Sequence, residues 1–525
     1  MDLHRGGRAK LVPLAVVALL TIGFVLITIW WQNADASFPA GDYGKHLLIA
    51  FGYYNLIHEG YFGAPFREYN LYPPLTHLVG AWYSLFAGGP SIARMVIAEN
   101  LVFVPALTFG CYWAASVAFN RLAGVLAAVF ALGTPMIISL FHMFMTDGPT
   151  AAMVALSVAA MLACRRFESL PLSALAGALV GVGMYTRSTF VLFILGLFLT
   201  MLARGGWRRW RGVLWFIGVA FVIAGPWYVY HFHDLFSMTQ GAVSAKQPLW
   251  YGNQPYPSDT QLLKYTWYGW DLVNVQLYLP LTLFFVVGTI TLAISWLRDR
   301  RSDSLVPELL AGGFVSYLSI SLLTLEDPRY TIPALVYMAV LAGGAIASIR
   351  GQRLRWVAVA ALSVVALLNT DENNRGSPAW NLSIDLPGRT ASPIGQGTLN
   401  VFASAGFVVN QPQRSPDRRA LVDFFTALKR EGATSIAFDA VSMNNGGYNL
   451  DTLSVLARLA DLRVAGYAAD TVTGPDVVWV FRNTPQVAGH AYCIPSPTLN
   501  DGTGLFAVRG PLGPGARISC PPHPS

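Results

Sequence analysis

The chain has 525 residues, 54% of them hydrophobic and 12% charged, too few charges to clothe a water-soluble protein, where about 25% is usual. The net charge of +7 is not a nucleic-acid footprint. The basic residues lie in short connections between apolar runs, where the positive-inside rule puts them in a membrane protein. Only five of the 35 basic residues are lysine, and with abundant Ala and Gly this skew fits a GC-rich bacterial genome.

The first apolar run, 11–31, follows Arg5, Arg8 and Lys10. It is longer than the usual 7–15-residue core of a signal peptide, which favours a retained helix with a cytoplasmic N-terminus. Further runs at 92–118, 122–140, 146–164, 170–187, 188–203, 212–231, 277–297, 305–325, 330–348 and 355–369 are long and apolar enough to predict about eleven crossings. Alternating them puts Arg121, Arg165, Arg166, Arg204, Arg208, Arg209, Arg211, Arg298, Arg300, Arg301, Arg350, Arg353 and Arg355 on the cytoplasmic side. The outside keeps Lys45, Arg67, Arg94, Arg187, Lys246, Lys264 and Arg329. The asymmetry holds only if the apolar stretch 73–88, opened by Pro73-Pro74, does not cross. Two large outer loops result, 32–91 and 232–276, so residues 1–369 read as one all-α polytopic membrane domain.

After Asn369 a Pro/Gly/Asn-rich linker, 370–412, leads into a tail at 413–525. There a helix from Ser415-Pro416-Asp417 to Glu431, strands at 435–440, 464–468 and 477–481, and a helix at 450–462 predict a small extracytoplasmic α/β domain. Cys493 and Cys520 lie in this tail and can pair in an oxidising compartment, whereas Cys111 and Cys164 fall in apolar runs.

Charges near a lipid bilayer are costly, and they single out candidate functional groups. Asp42 opens Asp42-Tyr43-Gly44-Lys45-His46 after the first span. His58-Glu59 and the segment Tyr69 to Leu75, containing Tyr72, follow in the same loop. Asp147 stands at the outer start of a span in Thr146-Asp147-Gly148-Pro149. Arg187 lies at an outer tip in Tyr185-Thr186-Arg187, and Glu326-Asp327-Pro328-Arg329-Tyr330 fills a short outer turn. Each acid alone reads equally well as a helix cap. Together on one membrane face they suit a lipid phosphate held by arginine hydrogen bonds and a hydroxyl activated by a carboxylate. The sequence carries no Walker-type loop or dinucleotide fingerprint, so a donor arriving within the bilayer fits better than a nucleotide.

These motifs, in this order, resemble the polyprenyl-phosphate-sugar-dependent glycosyltransferases of the C-type membrane superfold, in particular bacterial relatives of the protein O-mannosyltransferases and the aminoarabinose–lipid A transferases. The resemblance covers residues 11–350. It implies an inverting sugar transfer from a polyprenyl-phosphate donor to a glycan, lipid or protein hydroxyl outside the plasma membrane. It makes Asp42 the catalytic base and Asp147 a second acid. Lys45, Arg187 and Arg329 become the donor-phosphate cations, and His46, Glu59, Tyr72, Glu326 and Asp327 surround the substrates. Tyr43 stands where the family has a second acid, and Tyr72 where the aminoarabinose branch has a basic residue. A divalent metal is an open assignment: His46, His58, Glu59 and His77 could supply ligands, but their spacing matches no standard site. The rival reading is a transporter or lipid flippase, which would carry internal repeats and midplane ionisable groups; no convincing repeat is present.

Overall fold

The computed structural model describes residues 3–37, 39, 42–68, 72–237, 268–299, 303–322, 327–375, 382–385, 398–402, 416–430, 432–438, 450–466, 477–482 and 505–509. Apolar composition alone dictates most of the helices, because a backbone in lipid must satisfy its own hydrogen bonds. Five helical segments are long and apolar enough to cross a membrane: Leu11–Ala34 (within α1, Leu3–Ala34), Ile92–Ala118 (α5), Gly206–Tyr230 (ending in α11, Trp210–Tyr230), Tyr278–Asp299 (α12) and Gln352–Arg375 (α15). Shorter apolar helices lie between them: Arg121–Leu132 (α6), Asp147–Ala163 (α8), Leu170–Met184 (α9), Phe190–Ala203 (α10), Val306–Ser321 (α13) and Leu335–Ala347 (α14).

The stretch 122–140, expected as one span, is broken. Gly133 ends α6, Thr134 is extended, and Pro135 starts a short helix, α7 (Pro135–Leu140). Proline disfavours helical backbone at the residue before it, which accounts for the break. The stretch 32–91, expected as an outer loop, contains the helices α2 (Asp42–His58), α3 (Ala64–Arg67) and α4 (Leu75–Phe86). At 12 residues, α4 is about 18 Å long and falls short of a hydrocarbon core of about 30 Å. It packs against α2 and α5.

The core is centred on α8 and α14. All 13 residues of α14 are buried, the pattern of a helix surrounded by others. Between α5 and α8 the backbones nearly touch: a Cβ on Gly110 would lie 2.7 Å from the Ala155 carbonyl carbon, so only glycine fits there.

In the tail, α16 (Pro416–Arg430) offers Leu421, Phe424, Phe425 and Leu428 at helical spacing to Ile436, Phe438, Leu453 and Leu456. Strands β3 (Ser435–Phe438), β4 (Arg463–Gly466), β5 (Val477–Arg482) and β6 (Leu505–Arg509) form a sheet in the order β4-β3-β5-β6. β3 is parallel to β4 and β5, and β6 is antiparallel to β5. The helix α17 (Leu450–Leu459) connects β3 to β4. Within the stretch expected as a linker, β1 (Leu382–Asp385) and β2 (Thr398–Phe402) pair as an antiparallel ribbon.

Candidate active site

The first turn of α2 places Asp42, Lys45 and His46 on one face, since positions three and four apart coincide on a helix. Opposite lies the turn 327–331. Its backbone closes with Tyr330 N–H donating to the Asp327 carbonyl at 3.0 Å. Arg329 donates its backbone N–H and its Nε to Asp327 Oδ1, each at 2.9 Å. Its Nη2 reaches Asp42 Oδ2 at 2.9 Å and also binds Asp327. One arginine therefore joins two acids, of which Asp42 lies 287 residues before it in the sequence. The Asp42 side chain remains 42% exposed, against 18% for Asp327. Among the described residues its Oδ1 has no hydrogen-bond partner, so that oxygen is available to a substrate.

A second acid–arginine pair stands beside the first. Asp147 is the first residue of α8, and its carboxylate is ion-paired with Arg187 Nη1. Thr146 occupies the cap position, with no side-chain cap bond. Asp147 therefore binds a cation rather than capping its helix. The Arg187 guanidinium also lies 4.5 Å from the Tyr330 ring centre, a cation–π contact, and Tyr330 adjoins Arg329 in sequence. Both arginines are thus already committed to carboxylates. Among the described residues Lys45 has no such partner; its ammonium stands 5.5 Å from the centre of the Tyr72 ring.

Tyr72 also touches His46, with ring centres 4.4 Å apart, and His46 Nδ1 shares a 2.9 Å hydrogen bond with Nε2 of buried His77. Burial, with Asp42 nearby, pushes the Tyr72 phenol up to about 12. Burial also raises the Tyr330 phenol, so both remain neutral hydrogen-bond donors at ordinary pH. Burial pulls His77 down to about 3. His46 is lowered too, by burial first, then by His77 and the cations Arg329, Arg187 and Lys45.

The other candidates fall apart from this cluster. Glu59 is exposed just past the far end of α2, and 17 helical residues separate the two ends of α2 by about 25 Å. Glu326, Cys493 and Cys520 lie outside the described residues. For a divalent metal, His46 and His77 bind each other while His58 and Glu59 sit at the opposite end of α2. No three His, Cys, Asp or Glu side chains converge among the described residues.

Sequence reasoning passed over the groups that hold the segment before Asp147. Glu99, fully buried in α5, accepts the Met145 N–H through Oε2 at 3.1 Å. Asn100 donates to the Phe141 carbonyl at 2.8 Å, and Gln32 to the His142 carbonyl at 2.6 Å. The available signal was two adjacent polar residues inside one apolar run and a third just past the end of another, each expensive in lipid unless paired.

Comparison with known proteins agrees with this architecture. Residues 73–230 match the family described as dolichyl-phosphate-mannose-protein mannosyltransferase. No curated protein matches the chain in sequence. Among solved structures, ArnT from Cupriavidus metallidurans bound to undecaprenyl phosphate is similar over 95% of this chain and 99% of its own, with 13% identity and a TM-score of 0.60. The same protein in its apo state is similar over 94% and 97%, with 14% identity and a TM-score of 0.56. The chain shares its fold with ArnT.

Proposed function

We propose that this chain is an inverting glycosyltransferase that moves a sugar from a polyprenyl-phosphate donor to an acceptor hydroxyl at the outer face of the plasma membrane. The acceptor is a glycan, lipid or protein of the cell envelope. The observation that carries this reading is the half-exposed Asp42 carboxylate, held through one oxygen by Arg329 and three residues from the uncommitted Lys45. The matched family and the undecaprenyl phosphate bound to ArnT, a protein of the same fold, support a lipid-linked donor.

The chemistry asks little of the protein beyond position and charge. The acceptor oxygen attacks the anomeric carbon as the bond from that carbon to the phosphate oxygen breaks, and polyprenyl phosphate leaves. Asp42 Oδ1 takes the hydroxyl proton as the new bond forms, because a carboxylate is too weak a base to remove it beforehand. Lys45 stabilises the charge growing on the leaving phosphate. The phenols of Tyr72 and Tyr330 stand ready as neutral donors to it. Arg187 and Arg329 share their charge between the phosphate and their own acids. No nucleotide enters, because the energy of the donor lies in its glycosyl phosphate bond.

The test is reconstitution in nanodiscs with a panel of undecaprenyl-phosphate monosaccharides, using an envelope fraction from a deletion strain as acceptor. Sugar should transfer with wild-type protein and fail with Asp42→Asn, which keeps the shape but cannot take the proton. Full activity in that variant would remove Asp42 from the mechanism.

A further inference from the structure

The two halves of the charged cluster are each tied to a different element of the C-terminal segment. On the Asp42 side, Thr452 in α17 donates its hydroxyl to the carbonyl of Pro39 at 2.9 Å, in buried surroundings, three residues before Asp42. Arg418 in α16 donates to the Ser37 carbonyl at 3.2 Å. The α17 helix packs against α2, and its Val455 joins the core of the membrane domain. On the Arg329 side, Asn400 in β2 makes two bonds to Asn274: its N–H to Oδ1 at 2.8 Å and its Nδ2 to the carbonyl at 2.9 Å. Asn274 belongs to the π-helical turn Leu272–Gln276. In that turn Gln276 Nε2 donates at 2.7 Å to the Pro328 carbonyl and to Thr331 Oγ1, one residue before Arg329 and two after it.

On the Asp42 side the bonds end on backbone just before that residue, and on the Arg329 side they hold the 272–276 turn, whose Gln276 grips the Pro328 carbonyl and the Thr331 hydroxyl. Asp42 is the first residue of its helix, and the turn at 327–331 is short. A general base misplaced by about 1 Å can lose roughly 10²-fold in rate, so what fixes these ends matters. We propose that Thr452 and Asn400 are positioning residues for sugar transfer, acting through Asp42 and Arg329 respectively, so that the C-terminal segment sets the geometry of the reacting pair. This rests on the reading of Asp42 as the base.

The experiment uses the full chain in nanodiscs with Thr452→Val, Thr452→Ser and Asn400→Ala. Two readouts are taken: hydrogen exchange by mass spectrometry, and transfer kinetics with a donor the wild-type protein uses. Thr452→Val should speed exchange in the first bonded turn of α2, His46 to Ala50, and leave Tyr330 and Ile332 unchanged. Asn400→Ala should do the reverse. Both should lower kcat about tenfold with KM for the donor within about twofold, and Thr452→Ser, which keeps the hydroxyl, should restore both readouts. Unchanged exchange at both places overturns the inference whatever the activity. Faster exchange with wild-type kcat overturns it as well, since the bonds then hold backbone without setting the reaction. A fully active Asp42→Asn alongside faster exchange marks the different failure, that of Asp42 as base, and the positioning role falls with it.

Discussion

The two ends of α8 and α13 carry clusters of the same residue types built to different ends. At one end, Arg166 and Arg204 close on Glu308, the first through Nε at 2.8 Å and the second through Nη1 at 2.5 Å, taking both carboxylate oxygens. The Glu308 side chain is fully buried, and Arg204 spends a further hydrogen bond on the Ser304 carbonyl. At the other end, Arg329 takes one oxygen of Asp42 and leaves the side chain 42% exposed, while Lys45 meets no carboxylate among the described residues. A closed ion cluster fastens helices. An open one, with an oxygen and a cation left over, can bind and react. Residue type does not separate the two, but unused capacity does.

Breaking each cluster should therefore give opposite outcomes. The largest effect expected is at the open end: Asp42→Asn should reduce turnover by about 10²–10⁴-fold with little change in thermal unfolding. At the closed end, Glu308→Gln strands two largely buried arginines. It should cost about 3 kcal/mol of stability while leaving the kcat of the surviving folded protein unchanged. A large rate loss in the folded Glu308→Gln protein would erase the distinction.

A third measurement sharpens the electrostatics of the open end. His46 and His77 are held neutral in the folded protein, so the unfolded chain binds protons that the native state does not once pH falls below about 6.5. Stability must fall with acidification from there towards about 3, the value to which burial takes His77. The slope is at most about 1.4 kcal/mol per pH unit for each histidine. His77→Gln should flatten that acid limb in detergent unfolding curves. An unchanged limb would mean that other groups set it.

Smaller effects follow. Arg187→Lys loses the planar guanidinium over Tyr330 and its fork towards Asp147, and should raise donor KM by about tenfold with kcat little changed. At the closed end, the Arg209–Glu168 pair is 38% and 48% exposed. Glu168→Gln should shift stability by less than about 1 kcal/mol, measured by thermal unfolding in low salt.

Much of the open cluster was legible in the sequence because a charge beside lipid needs a reason to exist. That logic picked out Asp42, Lys45, Asp147, Arg187, Asp327 and Arg329 at or between the ends of apolar runs, and the structure brings all six to one place. It could not say which acid meets which arginine, since the Asp42–Arg329 pair depends on how distant helices pack. The arginines were expected to await a phosphate, yet both are paired. Tyr330 was hidden for a similar reason: a tyrosine beside an arginine signals nothing until a second arginine, Arg187, stacks on it. The ribbon β1–β2 escaped notice because its strands have only 4 and 5 residues and sit among turn-forming residues. Only their mutual pairing makes them strands. The α8 and α14 helices were found readily, since continuous apolar composition needs no partner to be recognised.

The Thr452–Pro39 hydrogen bond spans 413 residues of chain, which places it in time as well as in space. At a synthesis rate of about 5–20 residues per second, Thr452 leaves the ribosome roughly 20–80 s after Pro39. Throughout that interval the nascent protein already holds Asp42 without the contact that secures the backbone at Pro39. Arg329 arrives late in the same interval, and Asn400 later still. The cluster is consequently among the last parts of the molecule to be completed, and a chain stalled or cleaved after α15 would keep every one of its charges while lacking both ties. Completion of the cluster therefore waits on the C-terminal segment, though the charges it joins begin near the N-terminus.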